Sequence, residues 1–235
     1  SPASQRVRIS TIGGVRPTHY RRYDGSVPND ARVDAVLEWL REPEASRPHL
    51  VMLYFSTVDD AGHRYGPDAP EVDAAVRSVD ATLGRLLDGI EQLPIADRVN
   101  LVLVSDHGMI GVGPDRAEFL DEIVALQGVE VIGSGPYATL WFKDRARMDE
   151  VIAALRDGLR HATVYRRHEV PDRFRYAGSR RVGDALILAE PEWQVGVRGR
   201  ASRGGAHGYD PQEPRMHGIF IAAGPAIRPG ARLPA

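Results

Sequence analysis

An α/β fold with a largely parallel central sheet and helices on both faces is what this sequence predicts, and three observations predict it. The run 49–56 has the length and apolar enrichment of a buried strand, and the run 99–104 is too continuously apolar to leave a wet face. Between them Val72, Ala75, Val76, Val79, Leu83, Leu86, Leu87 and Ile90 recur at spacings of three and four, the stripe of an amphipathic helix about five turns long. Each apolar run leads into a glycine-bearing segment with carboxylates and imidazoles, and open α/β sheets form their sites outside the carboxyl ends of strands.

The elements follow in order. A helix is expected from Ala31 to Arg41 with Val33, Val36, Leu37 and Leu40 inward, and Asn29 or Asp30 is placed to cap its free amides. The strand 49–56 should end in a loop carrying Asp59 and His63. The long helix 72–90 comes next, and the strand 99–104 opens into Ser105-Asp106-His107-Gly108-Met109. Asp106 and His107 would point to opposite faces of a continuing strand, so both reach one centre only where the chain turns, which Gly108 permits. Beyond Pro114 we expect a helix at 116–126, strands near 129–132 and 138–142, and a helix at 147–160. The stretch 161–203, rich in arginine, glycine and proline with one strand-like run at 185–189, reads as a peripheral subregion. A glycine-rich loop, 204–208, carries His207, and 218–223 supplies another core strand.

Composition narrows the function. The 235 residues are 43% hydrophobic and 26% charged, ordinary for a soluble globular domain, and one domain over 1–235 is the default. A formal net charge of -2 without a block of basic residues gives no sign of a nucleic-acid groove. Neither an apolar run of about eighteen residues nor the apolar core of a signal peptide is present in the sequence. Cysteine is absent, so disulfides, thiolate catalysis and cysteine–zinc sites are excluded, and any metal must be held by oxygen and imidazole.

Asp59-x-x-x-His63, Asp106-His107 and His207 together supply five such ligands. A catalytic zinc commonly keeps three protein ligands and an open position; Asp59, His63 and His207 make such a set, and Asp106 and His107 supply two ligands for a second ion. Two ions a few ångströms apart suit in-line displacement at phosphorus, which makes phosphoryl transfer the first hypothesis.

The stretch Leu53 to Pro67, with Val104 to Met109 and Gly205 to Asp210, resembles the nucleotide pyrophosphatase/phosphodiesterase family of the alkaline phosphatase superfamily. Gly14 to Tyr20, Arg32-Val33-Asp34 with Trp39-Leu40, Val79-Asp80 and Met216 to Pro225 share the resemblance, which runs from about Val7 onward. It implies an alkaline-phosphatase-like fold and hydrolysis of phosphodiester or pyrophosphate bonds in a small-molecule nucleotide substrate. It also implies two zinc ions or another divalent metal, one on Asp59, His63 and His207 and the other on Asp106 and His107. Tyr54 matches the aromatic position on which the nucleobase stacks. The family's threonine nucleophile and a further aspartate fall upstream of the region matching residue 1, and none of Thr11, Thr18, Thr57 and Thr82 has the nucleophile's setting. The chain is therefore expected to be an internal fragment, incomplete on its N-terminal side and inactive or impaired alone. The resemblance further implies an extracytoplasmic location. Alternatives are another superfamily hydrolase, such as a phosphomonoesterase or phosphonate hydrolase, and a non-catalytic metal-binding module derived from the fold.

Overall fold

The computed structural model describes residues 14–232 apart from 177, 180 and 200, so Thr11 and the start of the resemblance lie outside the described residues. In chain order they form α1 (Asn29–Leu40), α2 (Thr57–Tyr65), α3 (Pro70–Glu91), β1 (Leu101–Val104), β2 (Ile110–Val112), β3 (Ala117–Phe119), α4 (Leu120–Ile123), β4 (Val129–Ile132), β5 (Tyr137–Phe142), α5 (Met148–Gly158), β6 (Ala162–Arg166), β7 (Ala185–Ala189), β8 (Gln194–Gly196), β9 (Gly204–Ala206) and β10 (Phe220–Ala223). They group into two compact units. One takes the described part of Ser1–Ser56 with Asp80–Ala96, and the other takes Thr57–Val79 with the described part of Asp97–Ala235.

In the first unit α1 buries Val33, Ala35, Val36 and Leu37, and the later turns of α3 bury Leu86 and Ile90. Gly89 makes the close approach of the two helices possible, since a Cβ there would lie 2.8 Å from Leu37 Cδ2. The expected cap does not form: α1 starts at Asn29 behind Pro28 with no side-chain cap, because Asp30 instead accepts a 3.0 Å hydrogen bond from the buried Thr82 hydroxyl. Val76 and Leu87, read as part of the helix's apolar stripe, are exposed. The segment 51–56 is not a strand, although its exposure alternates with Leu50, Met52 and Tyr54 outward. A strand exists through its ladder, and no described residue pairs with this segment.

The core of the second unit is a four-stranded antiparallel sheet, ordered β4-β5-β7-β6, in which Thr139 lies opposite Leu186 and Val164 opposite Ile187. Val151, Ile152 and Leu155 of α5 are fully buried in one cluster with Leu140 and Ile187. The stretch expected at the periphery thus supplies an interior strand, β7. Arginines of that stretch pair with carboxylates, as in Arg166–Asp149 at 2.7 Å and Arg173–Asp210 at 2.6 Å, and so leave β7 free to be apolar.

Three small ladders complete this unit: β1–β10 and β2–β9, both antiparallel, and β3–β8, parallel. The mixed α/β class holds, but among the described residues the expected parallel sheet is reduced to the single β3–β8 pair. Continuous apolarity reports burial, not strand direction. Even burial is partial, since Val102, Val104, Phe220 and Ile221 are exposed, against the expectation of covered strands at 99–104 and 218–223. The predicted helix at 116–126 is instead β3 followed by the single turn α4, because pairing with β8 overrides local propensity.

Candidate metal centre

Asp59 and His63 sit on α2 and not on the expected loop. The sequence favours this helix by placing Asp59 and Asp60 in its first turn and His63 and Arg64 in its last, complementing the helix dipole. Four residues apart, the two side chains share a face, with His63 Nε2 3.4 Å from Asp59 Oδ1. Gly62 serves close packing: a Cβ there would lie 2.5 Å from Met109 Sδ. On the facing strand β9, a Cβ on Gly205 would lie 2.6 Å from the Gly62 carbonyl oxygen and 2.8 Å from Met109 Cγ. Helix and strand therefore meet backbone to backbone with Met109 wedged beside them.

That approach lets His63 Nδ1 reach the Gly205 carbonyl oxygen at 2.8 Å. A carbonyl only accepts, so Nδ1 carries the proton and Nε2 keeps its lone pair. The same logic fixes His107, whose Nδ1 donates to the Gly108 carbonyl at 2.8 Å. The turn that presents His107 is pinned by the Gly108 amide donating to Met216 O at 2.9 Å, and a Cβ on Gly108 would collide with Arg215 O. His207 follows β9 directly, and its ring lies flat on that of His107, with centroids 3.5 Å apart and planes at 10°. Burial holds the His207 imidazole below its ordinary pKa, and His107 and His63 add to the effect, so at neutral pH it is the uncharged ligand form.

Asp59, His107 and His207 each offer a donor atom within 4.8 Å of the others'. Asp59 Oδ1 is buried and lacks a hydrogen-bond partner, an uncompensated lone pair that a cation would satisfy. One carboxylate oxygen and two neutral imidazoles are a donor set that fits zinc or a similar transition ion. The other two predicted ligands stand at the margin. His63 lies beside Asp59, with its ring 5.0 Å from that of His207, and Asp106 is 81% exposed with Oδ1 3.6 Å from His107 Nε2. The structure thus groups His107, rather than His63, with Asp59 and His207.

Two supports went unread in the sequence. Gln194, 1% exposed on β8, uses its whole amide: Nε2 donates to Gly113 O and Ser202 O, both at 3.0 Å, and Oε1 accepts from the Ser202 amide at 3.0 Å and hydroxyl at 2.8 Å. It ties the turn after β2 to the residue that leads into β9 and His207. Tyr209, two residues beyond His207, donates its hydroxyl to Trp193 O at 2.9 Å, and burial pushes its pKa up to about 12. His217 is exposed, and Asp210 closes a turn by accepting from the Gln212 amide at 3.0 Å.

In the first unit Tyr54 is 53% exposed on the extended segment, so it is not the buried core tyrosine that its apolar neighbours would favour. Its ring meets that of Tyr23 edge-on at 5.5 Å and 66°.

The model of the type I phosphodiesterase / nucleotide pyrophosphatase family matches residues 2–210. The chain is 32% identical over 234 residues to ectonucleotide pyrophosphatase/phosphodiesterase family member 1 of Rattus norvegicus, covering 94% of this chain and 26% of the relative. It is 33% identical over 228 residues to venom phosphodiesterase CdcPDE of Crotalus durissus collilineatus, covering 92% and 27%. Its fold is similar to that of murine ectonucleotide pyrophosphatase / phosphodiesterase 5, with a TM-score of 0.86 at 33% identity, covering 92% of this chain and 58% of the other. An inactive variant of that murine protein in complex with AMP matches equally well. The chain spans about a quarter of the length of the first curated relatives it matches.

Proposed function

Because the chain belongs to the type I phosphodiesterase / nucleotide pyrophosphatase family, with its alkaline-phosphatase-like fold, we propose that it forms most of the metal centre of an enzyme hydrolysing phosphodiester or pyrophosphate bonds of nucleotides. The observation that carries the reading is the convergence of Asp59, His107 and His207, drawn from three separate segments, around the unpartnered Asp59 oxygen. These three would hold one ion, and His63 and Asp106 complete the five-ligand, two-zinc set. When bound, such ions supply Lewis acidity toward a phosphoryl oxygen and lower the pKa of a coordinated nucleophile.

The remaining chemistry belongs to the chain. The Gly205 and Gly108 carbonyls hold the protons of His63 and His107 on Nδ1 and aim the two Nε2 lone pairs. Asp59 contributes the negative charge. Tyr54 takes the nucleobase on its exposed ring; stacking of this kind contributes about 1–3 kcal/mol and tolerates several bases. The nucleophile is assigned to a threonine outside these 235 residues, in line with the family resemblance. No helix among the described residues is long and apolar enough to cross a membrane. An extracytoplasmic location is proposed because the relatives are named as ectoenzymes and venom enzymes.

Hydrolysis of a nitrophenyl diester of a nucleotide by the complete protein tests this reading. Turnover should disappear on chelation and return with zinc. A preference for the corresponding monoester by more than about tenfold, equivalent to 1.4 kcal/mol, would replace the diesterase reading with a monoesterase. Zinc binding without turnover on either ester would identify a non-catalytic module.

A further inference from the structure

Glu192 lies between β7 and β8, in the stretch expected at the periphery, and its backbone is strained. Its φ is +73°, and among the described residues Arg175 is the one other non-glycine with a positive value. The Trp193 amide donates to Glu190 O at 3.0 Å across Pro191 and Glu192, so proline stands second in the turn and a left-handed residue third. Glycine ordinarily takes that third place, because a Cβ there crowds the backbone. Such a residue persists only where its surroundings hold it, and the strain directs attention to its side chain.

The carboxylate bridges two arginines. Its Oε1 accepts from Arg215 Nη1 at 2.9 Å, and its Oε2 pairs with Arg116. Arg116 leads into β3, and its carbonyl accepts from the Gln194 amide of β8 at 2.9 Å. Arg215 is held from its other side by Glu213 Oε1, 2.7 Å from Nε. One side chain thus joins the approach to β3 to the single turn Pro214–Met216.

That turn seats His107. Met216 O accepts from the Gly108 amide at 2.9 Å, and Arg215 O fills the space that a Cβ on Gly108 would need. Gly108 O in turn accepts from His107 Nδ1 at 2.8 Å. The path from the Glu192 carboxylate to the imidazole therefore runs through Arg215 and Gly108 alone, all within the second unit.

We propose that Glu192 is a positioning residue for the metal centre, clamping Arg215 against Arg116 so that the turn 214–216 holds Gly108 and sets His107 Nε2 against Asp59 and His207. The inference rests on the reading of His107 as a metal ligand and extends it outward. Arg116, Glu192 and Arg215 are 49%, 38% and 48% exposed, so each ion pair alone is worth little and the effect belongs to the bridge they form together.

The test measures zinc affinity by competition against a chromophoric chelator, and the urea midpoint of the metal-free state, in the complete protein and its Glu192→Ala, Glu192→Gly and His107→Ala variants. Both substitutions at 192 remove the carboxylate, and only glycine relieves the turn. Each should weaken the tightest zinc equivalent by about three- to tenfold, less than the roughly 10–100-fold that follows loss of a group bonded directly to a ligand. Metal-free Glu192→Gly should nonetheless unfold at a higher urea concentration than metal-free Glu192→Ala. If zinc affinity follows stability instead, with Glu192→Gly binding as wild type and only Glu192→Ala weakened, the role is merely structural and the proposal is wrong. If both bind zinc as wild type does while His107→Ala weakens it, the clamp does not position the ligand and the metal reading stands. If His107→Ala leaves zinc affinity unchanged, the metal reading of His107 itself fails and the inference falls with it.

Discussion

The imidazoles of His107 and His207 lie stacked, 3.5 Å between centroids and 10° from parallel, although one leaves a turn after β1 and the other leaves β9. Two rings so close are stable together only while at most one is charged, which agrees with the lowered pKa of His207. Removing either ring should therefore cost metal binding directly. His107→Ala, His207→Ala and Asp59→Asn are each expected to weaken zinc by at least the roughly 10–100-fold that loss of an outer partner costs. Asp106→Ala, which deletes an exposed carboxylate, should change the tightest zinc equivalent by less than about threefold. Competition against a chromophoric chelator measures all four.

Gly205 and Gly62 set the distance between β9 and α2. Gly205→Ala inserts a methyl where Met109 and the Gly62 carbonyl already sit, and overpacking of this kind costs about 1–3 kcal/mol. Because His207 follows β9 directly and α2 carries Asp59, zinc affinity should fall along with the urea midpoint. A variant with lowered stability but unchanged zinc affinity would show that the helix–strand spacing does not position the ligands.

Gly84 makes the opposite case. It lies within α3, and a Cβ there would meet nothing within 4 Å. Gly84→Ala should stabilise the protein by about 0.5–1 kcal/mol by reducing the freedom of the unfolded chain, read as a rise in Tm with zinc binding unaltered.

Gln194→Ala leaves the Ser202 amide and hydroxyl and the Gly113 carbonyl without their buried partner, at about 1–3 kcal/mol for such a loss. Chemical denaturation checks the cost. Since Ser202 leads into β9, we also expect a measurable loss of zinc affinity, which a purely local cavity would not produce.

The Asp210–Arg173 pair predicts a pH effect. Hydrogen bonding from Arg173 holds the Asp210 carboxyl below its ordinary pKa, so its stabilisation is present above the unfolded pKa and is lost as pH falls through the folded one. Asp210→Asn should therefore lower the urea midpoint at pH 7, and the gap should close in acid once wild-type Asp210 is protonated. A gap that persisted below the folded pKa would mean that the charge is not the cause.

The mixed α/β class and the family were legible in the sequence, and the candidate ligands could be picked out by residue type, whereas the strand pairing could not. Asp59, His63, Asp106, His107 and His207 stood out because ligand chemistry resides in residue type, and chemistry survives ignorance of strand direction. What the sequence did not disclose is grouping: that His107 joins Asp59 and His207 depends on the turn at Gly108 and on Met109 seating β9 against α2, both long-range packing outcomes. The same limit explains the misread elements. The run 116–126 became β3 and α4 because β8 pairs with it, and although 185–189 reads as strand-like, the full burial of Ala185 and Ile187 depends on its pairing with β5 and β6. Helices α1, α3 and α5 were anticipated because their apolar spacing is local information.

Drawing the candidate ligands from positions 59, 107 and 207 has a consequence for the unfolded state. A bound ion would close two long stretches of chain at once, as a reversible cross-link does, and the loop-closure entropy it removes grows only slowly with loop length. Zinc should then act as a folding ligand: apparent stability rises with the logarithm of free zinc above its Kd, and the melting temperature of the second unit becomes a gauge of metal supply.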